Sequence, residues 1–108
     1  MIMTKKRGWV FLLRNSAGKY LISSSPAWGI KREVERLEIS YNTSLQIIHA
    51  VPTNDRLRLF NELCERYDAK RGRYGWFSLA GDDVGAIRSM ERVVYPVEVT
   101  KGAEVSYG

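Results

Sequence analysis

The stretch that decides the fold, residues 57–87, reads LRLFNELCERYDAKRGRYGWFSLAGDDVGAI. Its first part repeats apolar residues at the spacing of one helical face, which predicts an amphipathic helix over 57–70. A basic turn with a glycine just past it is typical of a helix C-terminus. The mostly apolar residues at 76–79, WFSL, predict a short strand. Asp82 and Asp83 then stand where the positive dipole end of a further helix favours carboxylates.

The first third of the chain predicts a β-hairpin. Residues 9–13, WVFLL, form a continuous apolar run of strand length, so we expect this strand to be buried on both faces at the centre of a sheet. Residues 15–18, NSAG, have turn composition, and residues 19–24 return as a second strand.

Helix and strand signals alternate after the hairpin. Ser25 and Pro26 suit the cap and the first position of a helix, which the apolar spacing extends over 27–38. Residues 45–51 are rich in Ile and Val and predict a third strand. Thr53 follows this strand and is a candidate cap for the helix that begins at 57.

A last strand is predicted over 92–99, confined to a sheet edge by Pro96. The whole pattern predicts an α+β domain with a small, mostly antiparallel sheet of three to five strands and three flanking helices. We divide the chain into a basic lead-in over 1–8, a domain over 9–92, and a C-terminal edge strand and tail over 93–108.

Composition narrows the function classes. The formal net charge is +5 and the pI near 9.6, a balance that favours polyanionic partners such as nucleic acids. The single cysteine excludes an internal disulfide and fits a reducing compartment. No stretch has the pattern of a signal peptide or the length of a transmembrane helix, so we expect a cytoplasmic protein without a membrane partner.

Residues with metal or nucleophilic chemistry are few. His49 and Cys64 do not stand at ligand spacing, and we expect no metal site. His49 lies in a predicted strand as a structural residue, and Cys64 lies on the apolar helix face as a small buried hydrophobe. A Cys–His nucleophilic pair is the alternative.

The basic turn combines cations with aromatic rings. Lys70, Arg71 and Arg73 crowd one turn, and Tyr74 and Trp76 stand beside them. This mixture suits a nucleic-acid backbone and its exposed bases. A solvated helix end with aromatic core anchors is the alternative.

Five segments together resemble the GIY-YIG endonuclease superfamily, in its short branch common in bacteriophages and also found in bacteria. They are WVFL at 9–12, YLISSS at 20–25, REV at 32–34, LFNELCERY at 59–67 and YGWF at 74–77. The resemblance follows the family in order, spacing and hydrophobic pattern. It implies a GIY-YIG-like fold.

Family members cut DNA with one divalent metal held by a helix carboxylate, and tyrosines and an arginine surround the scissile phosphate. This chain departs from nearly every such position. The departing positions are Phe11 and Leu21 for the tyrosines, Ser23 for a glycine, Glu33 for the arginine, Phe60 for the metal-binding glutamate and Cys64 for a histidine. At the arginine position, Arg32 could substitute from the neighbouring residue. The resemblance therefore implies a nuclease fold with a degenerate active site.

The first function hypothesis is a non-catalytic, phage-type binding protein that needs no cofactor. It would hold a nucleic acid, a nucleotide or a protein on the face where the family binds its substrate. The candidate contacts are the stacking groups Tyr20 and Trp28 and the cations Lys31, Arg32, Lys70, Arg71 and Arg73.

Two alternatives stay open. The first is a divergent endonuclease that uses Mg²⁺ or Mn²⁺ with Tyr20, Arg32 and Glu62. Glu62 lies about 200° around the helix from Phe60, however, so it does not simply replace the missing ligand. The second is an inhibitor or assembly protein that acts through protein contacts, with a homodimer joined by the C-terminal strand over 93–99.

Overall fold

Three antiparallel strands and three α-helices make up the computed structural model, which describes residues 6–96. The elements are β1 (Gly8–Arg14), β2 (Tyr20–Ser25), α1 (Ile30–Tyr41), β3 (Gln46–Thr53), α2 (Arg56–Arg66) and α3 (Gly81–Arg88), with 3₁₀ turns at Asp68–Lys70 and Arg73–Gly75. The strands form one sheet. The expected α+β class with a small antiparallel sheet and three helices is confirmed.

The sheet has the order β2-β1-β3, so β1 is the central strand, as its apolar run predicts. The hairpin of β1 and β2 is confirmed, with Leu12 opposite Ile22. Its turn is stabilised by Asn15, whose side-chain oxygen accepts hydrogen bonds from the backbone N–H groups of Ala17 and Lys19, both at 2.9 Å. Since β1 separates the other two strands, β2 has one edge without a strand partner.

Alternate residues of β1 enter two cores, one on each face of the sheet. Phe11 and Leu13 pack with Leu37 of α1 on one face. The other face packs against α2 and α3, and its buried members are Val10, Leu12, Ile22, Val51, Leu59, Leu63, Tyr67, Phe77 and Ile87. The sheet is therefore covered by α1 on one side and by α2 and α3 on the other.

Helix α2 lies within the stretch that predicted it, with different ends. Asp55 is the N-cap of α2, so the prediction that Thr53 caps this helix is wrong. Thr53 is the last residue of β3, and its hydroxyl accepts a hydrogen bond from the backbone N–H of Asp55 at 3.2 Å. The Asp55 carboxylate in turn accepts from the N–H of Arg58 at 3.2 Å. The helix ends at Arg66, and the chain tightens into a 3₁₀ turn instead of continuing to residue 70.

Helix α1 begins later than the Ser–Pro signal predicts. Ser25 is the last residue of β2, and its hydroxyl donates to the carbonyl of Pro26 at 2.9 Å. A turn closed by Gly29 N–H on the same carbonyl, at 3.0 Å, separates the strand from the helix. The helix then starts at Ile30 and ends at Tyr41, followed by a left-handed Asn42.

Two predicted strands are absent from the described part of the chain. The segment 76–79 pairs only through Phe77, which bridges to Tyr20 and to Arg71. Of the segment 92–99, Val93 forms one parallel bridge to Thr53, and residues 97–99 lie outside the described residues. The homodimer hypothesis rests on this segment and stays a hypothesis.

The third strand is longer than predicted. It continues through Pro52 to Thr53, and Pro52 is tolerated because β3 is the second edge of the sheet. Among residues 6–96, no helix is long and apolar enough to cross a membrane.

Candidate functional site

A groove runs along the free edge of β2, between α1 and α2. It consists of two adjoining hollows of about 600 and 270 Å³ that share Leu21, Ile22, Tyr41 and Phe60. We call this pair of hollows the edge groove. It exists because β2 is an edge strand and because the two helices cover opposite faces of the sheet.

The edge groove collects residues that lie far apart in the sequence. Five of the six positions at which the chain departs from the GIY-YIG pattern line it, namely Leu21, Ser23, Glu33, Phe60 and Cys64. The sixth, Phe11, is buried beneath them in the α1-side core. Five of the departing positions thus lie on one surface, and the sixth lies in the core below it.

Glu33 is engaged on the α1 side of the edge groove. Its carboxylate accepts from Arg36 Nη2 at 2.7 Å, from Arg36 Nε at 3.1 Å, and from the Ser23 hydroxyl at 3.0 Å. The hydrogen bonds from Arg36 lower the pKa of this carboxyl most. Burial acts in the opposite direction, but the bond from Ser23 adds to the lowering, so the pKa lies below its usual range. Glu33 is thus an ionised carboxylate paired with its own cation, Arg36.

Removing this carboxylate should make stability less dependent on pH in the acidic range. The lowered pKa of Glu33 means that its contribution is present above the unfolded pKa and is lost as pH falls through the folded pKa. At pH 7, the free energy of unfolding of Glu33→Gln from urea denaturation should lie below that of wild type by about 1 kcal/mol or less. The two proteins should converge near pH 3.

Glu35→Gln, on the exposed face of the same helix, is the matched control for this experiment. Its midpoint should follow wild type at every pH. A difference between Glu33→Gln and wild type that stays constant down to pH 3 would contradict the assigned role of the ionised carboxylate.

The α2 side of the edge groove is partly apolar. Phe60 packs against the core while lining both hollows, and Cys64 is half-buried beside it. Burial raises the pKa of the Cys64 thiol, and nearby Arg71 only partly offsets this, so the thiol is protonated at neutral pH. The sequence predicts a buried Cys64, whereas its side chain is half-buried and lines the groove.

The alternative Cys–His pair does not form. His49 lies on β3, at the opposite edge of the sheet from the groove. Its Nε2 atom is 2.6 Å from the carbonyl oxygen of Met90, which places the ring in a structural hydrogen bond. The prediction of a structural histidine is confirmed, and β1 separates it from Cys64.

Charge in the edge groove is slightly acidic, although the whole chain is basic. Glu33, Glu65 and Asp68 line it with Arg36 and Arg71. Glu33 forms an ion pair with Arg36, and Asp68 Oδ1 forms one with Arg71 Nε at 3.8 Å. The carboxylate of Glu65 is therefore in excess. Within residues 6–96, no group of three or more His, Cys, Asp or Glu side chains could hold a metal ion.

The predicted binding residues do not form one site. Tyr20 is half-buried against the α2-side core, and its backbone bonds to Phe77. The cations after α2 lie in the turn: Lys70 pairs with Asp83, and the Arg71 guanidinium lies 5.1 Å from the ring centre of Phe77.

Trp28, Lys31 and Arg32 belong to a different surface, at the start of α1. Trp28 and Arg32 line a hollow of about 700 Å³ that we call the α1 hollow, and Lys31 is exposed on the same helix. Tyr20 is the first residue of β2 and Trp28 lies in the turn beyond its last residue, Ser25. The strand between them is about 16 Å long, which places the two rings at opposite ends of β2.

The α1 hollow contains residues that sequence reasoning missed. Arg36, Ile39 and Arg56 line it together with Trp28 and Arg32. Trp28 is 78% exposed and Ile39 is 81% exposed, which is unusual for such large apolar side chains. The spacing of four residues between Arg32 and Arg36 on α1 could have revealed their shared face. Arg56 comes from α2, and no local pattern indicates it.

The residues of the endonuclease alternative lie apart. Arg32 lines the α1 hollow, and the backbone of Tyr20 is bonded to Phe77. Glu62 accepts from the Tyr95 hydroxyl at 2.7 Å and pairs with Arg58 at 3.4 Å. Burial and the Glu62 carboxylate raise the pKa of Tyr95, so this phenol stays protonated. Glu62 is thus held on the α2 face away from the edge groove.

Comparison with known proteins finds no matching family model, no matching curated protein and no matching solved structure. The two surfaces are therefore interpreted from their own residues.

Proposed function

We propose that this chain is a non-catalytic, GIY-YIG-like binding protein that holds single-stranded nucleic acid at the α1 hollow. The observation that carries the proposal is the exposed indole of Trp28 beside Arg32, Arg36 and Arg56 in one concave surface. On the resemblance alone, we place the protein among the phage-type members that act in the cytoplasm.

The chemistry of the α1 hollow suits this ligand. An exposed tryptophan ring offers a stacking face to any base, and the guanidinium groups of Arg32 and Arg56 neutralise neighbouring phosphates. Arg36 is paired with Glu33, and the three arginines of the hollow outnumber its two carboxylates, Glu33 and Glu35. The net charge of +5 adds long-range attraction. Trp28 does not contribute a buried core contact, so a role in binding accounts for an exposure that folding does not require.

The edge groove supports the non-catalytic part of the proposal. A divalent metal in a nuclease needs several oxygen ligands, and the wall that faces this groove from α2 carries Phe60 and Cys64 with Glu65 as its one carboxylate. Glu33 is already neutralised by Arg36, and Glu62 is bonded to Tyr95. The mechanism is therefore occupancy of a nucleic acid without turnover.

Trp28→Ala should weaken binding of a fluorescein-labelled dT12 oligonucleotide by about 5- to 150-fold. Stacking of one base on an aromatic ring contributes about 1–3 kcal/mol, and each 1.4 kcal/mol corresponds to a factor of ten. Fluorescence anisotropy at 50 mM salt measures the affinity. Wild-type binding should also fall steeply as salt rises, because phosphate contacts release counterions.

Tyr74→Ala is the matched control, because Tyr74 is a 79% exposed aromatic residue in the other basic segment. It should bind dT12 as wild type does. Equal affinity of wild type and Trp28→Ala would contradict the proposed surface, and salt-independent binding would favour the protein-binding alternative. A plasmid assay with Mg²⁺ or Mn²⁺ tests catalysis: nicking that disappears in Glu62→Ala would overturn the non-catalytic proposal.

A further inference from the structure

The free edge of β2 carries backbone groups that the described chain leaves unpaired. The N–H and C=O groups of Tyr20 bond outward to Phe77, at 3.0 and 2.8 Å. Alternate residues of a strand direct these groups to the same side, so Ile22 and Ser24 also direct theirs outward. No hydrogen bond from residues 6–96 reaches these outward groups of Ile22 and Ser24.

The chain leaves this edge at a specific turn. Tyr74 and Gly75 have positive φ values of 59° and 84°, which turn the backbone away just before Phe77. The Tyr41 hydroxyl holds this turn by donating to the carbonyl of Tyr74 at 3.1 Å, and its ring packs edge-on against Trp76 at 5.0 Å. Pairing along β2 therefore stops after Tyr20, and the edge continues open into the groove.

The open edge forms the floor of the edge groove. Ile22 is only 8% exposed and lines both hollows, so its backbone groups lie deep between the two helices. Buried backbone groups need hydrogen-bond partners, and a row of them is a template for another strand. Leu37 and Tyr41 form one wall and Phe60 the other, which gives apolar contacts on both sides of an inserted chain.

We propose that the edge groove binds an extended peptide segment of a partner protein as a fourth strand, added to β2 at Ile22 and Ser24. The outward N–H and C=O groups of Ile22 lie about 6.6 Å along the strand from those of Ser24. A segment of about four to six residues is long enough to bond to both. One side chain of the segment would contact Phe60. The excess carboxylate of Glu65 favours a Lys or Arg in the segment.

Charge distinguishes this occupant from a nucleic acid. The edge groove has more carboxylates than guanidinium groups, so a polyphosphate chain would be repelled by Glu65. A peptide backbone instead supplies the alternating donors and acceptors that the edge requires. The edge groove adjoins the α1 hollow and shares Ser24, Glu33 and Arg36 with it, but strand pairing along β2 does not depend on nucleic-acid binding in that hollow.

Ser24→Pro tests the strand pairing directly. Ser24 directs its N–H away from β1, so proline removes an outward donor without removing a bond inside the sheet. Ser24→Ala is the matched control, since it changes only the side chain. Should Ser24→Pro fail to fold by circular dichroism, Phe60→Lys replaces it, because it blocks the groove wall and repels a basic segment without altering the strand.

The probe is a library of random dodecapeptides displayed on phage and panned against the full chain. We expect enriched peptides that alternate apolar residues with Lys or Arg. Their affinity for Ser24→Pro should be about tenfold weaker than for Ser24→Ala, and the amides of Ile22 and Ser24 in wild type should exchange more slowly when the peptide is bound. Failure to enrich peptides would overturn the proposal. So would unchanged exchange at these two amides, or their protection by self-association of the chain without peptide.

Discussion

Replacing Leu63 with alanine should lower the free energy of unfolding by about 2–5 kcal/mol, a large part of the ~5–15 kcal/mol typical of a domain. Leu63 lies in the middle of α2 and is 1% exposed, in contact with the core that joins α2 to the sheet. Its truncation leaves a cavity that the surrounding β-sheet cannot easily fill. Urea denaturation followed by circular dichroism measures the loss.

Leu57→Ala is the matched control for the Leu63 experiment. Leu57 is the same residue type in the first turn of the same helix, but it is 54% exposed. Its replacement should change the free energy of unfolding by about 0.5 kcal/mol or less. Similar losses in the two variants would mean that α2 does not pack on the sheet through the face described.

The parts of the fold that the sequence predicted correctly are those where burial sets the residue pattern. The continuous apolar run of β1 requires burial on both faces, and the central strand provides it. The helical spacing of Leu59 and Leu63 likewise reflects one buried face of α2. These patterns predict structure well because leaving such a side chain exposed would cost about 1.5–3 kcal/mol.

The errors lie where local signals compete with tertiary contacts. The pair Ser25–Pro26 has the composition of a helix start, yet Ser25 remains in β2 and a turn precedes α1. The apolar letters at 76–79 suggest a strand, but the left-handed Tyr74 and Gly75 turn the chain so that only Phe77 reaches the edge of β2. Neither turn has a strong signature in the sequence.

The candidate site was only partly predictable. The resemblance singled out Phe60 and Cys64 as departing positions without showing whether they line an open groove, and the structure places both in the edge groove. The α1 hollow was missed as a unit because Arg56 joins it from a different helix. The open edge of β2 was also missed, since which strand lies at an edge depends on the pairing of the whole sheet.

Replacing Phe77 with alanine should lower the free energy of unfolding by about 3–5 kcal/mol. Phe77 is 3% exposed, and its ring lies in the α2-side core beneath the guanidinium of Arg71. Its backbone also forms the two hydrogen bonds to Tyr20 that hold the basic turn against β2. The decrease in the free energy of unfolding should therefore come both from the lost core contact and from weaker hydrogen bonds between this turn and β2.

Two measurements separate these contributions of Phe77. Urea denaturation gives the global loss, for which Tyr74→Ala is the matched control: it truncates an exposed ring in the same turn and should change stability by about 0.5 kcal/mol or less. Amide exchange at Tyr20 reports the local bond to the Phe77 carbonyl, 3.0 Å long in the folded chain. In Phe77→Ala this amide should exchange faster than amides of β1, because the turn opens before the sheet unfolds. Equal acceleration at Tyr20 and throughout β1 would mean that Phe77 acts on global stability alone, and that the edge of β2 owes none of its pairing to this ring.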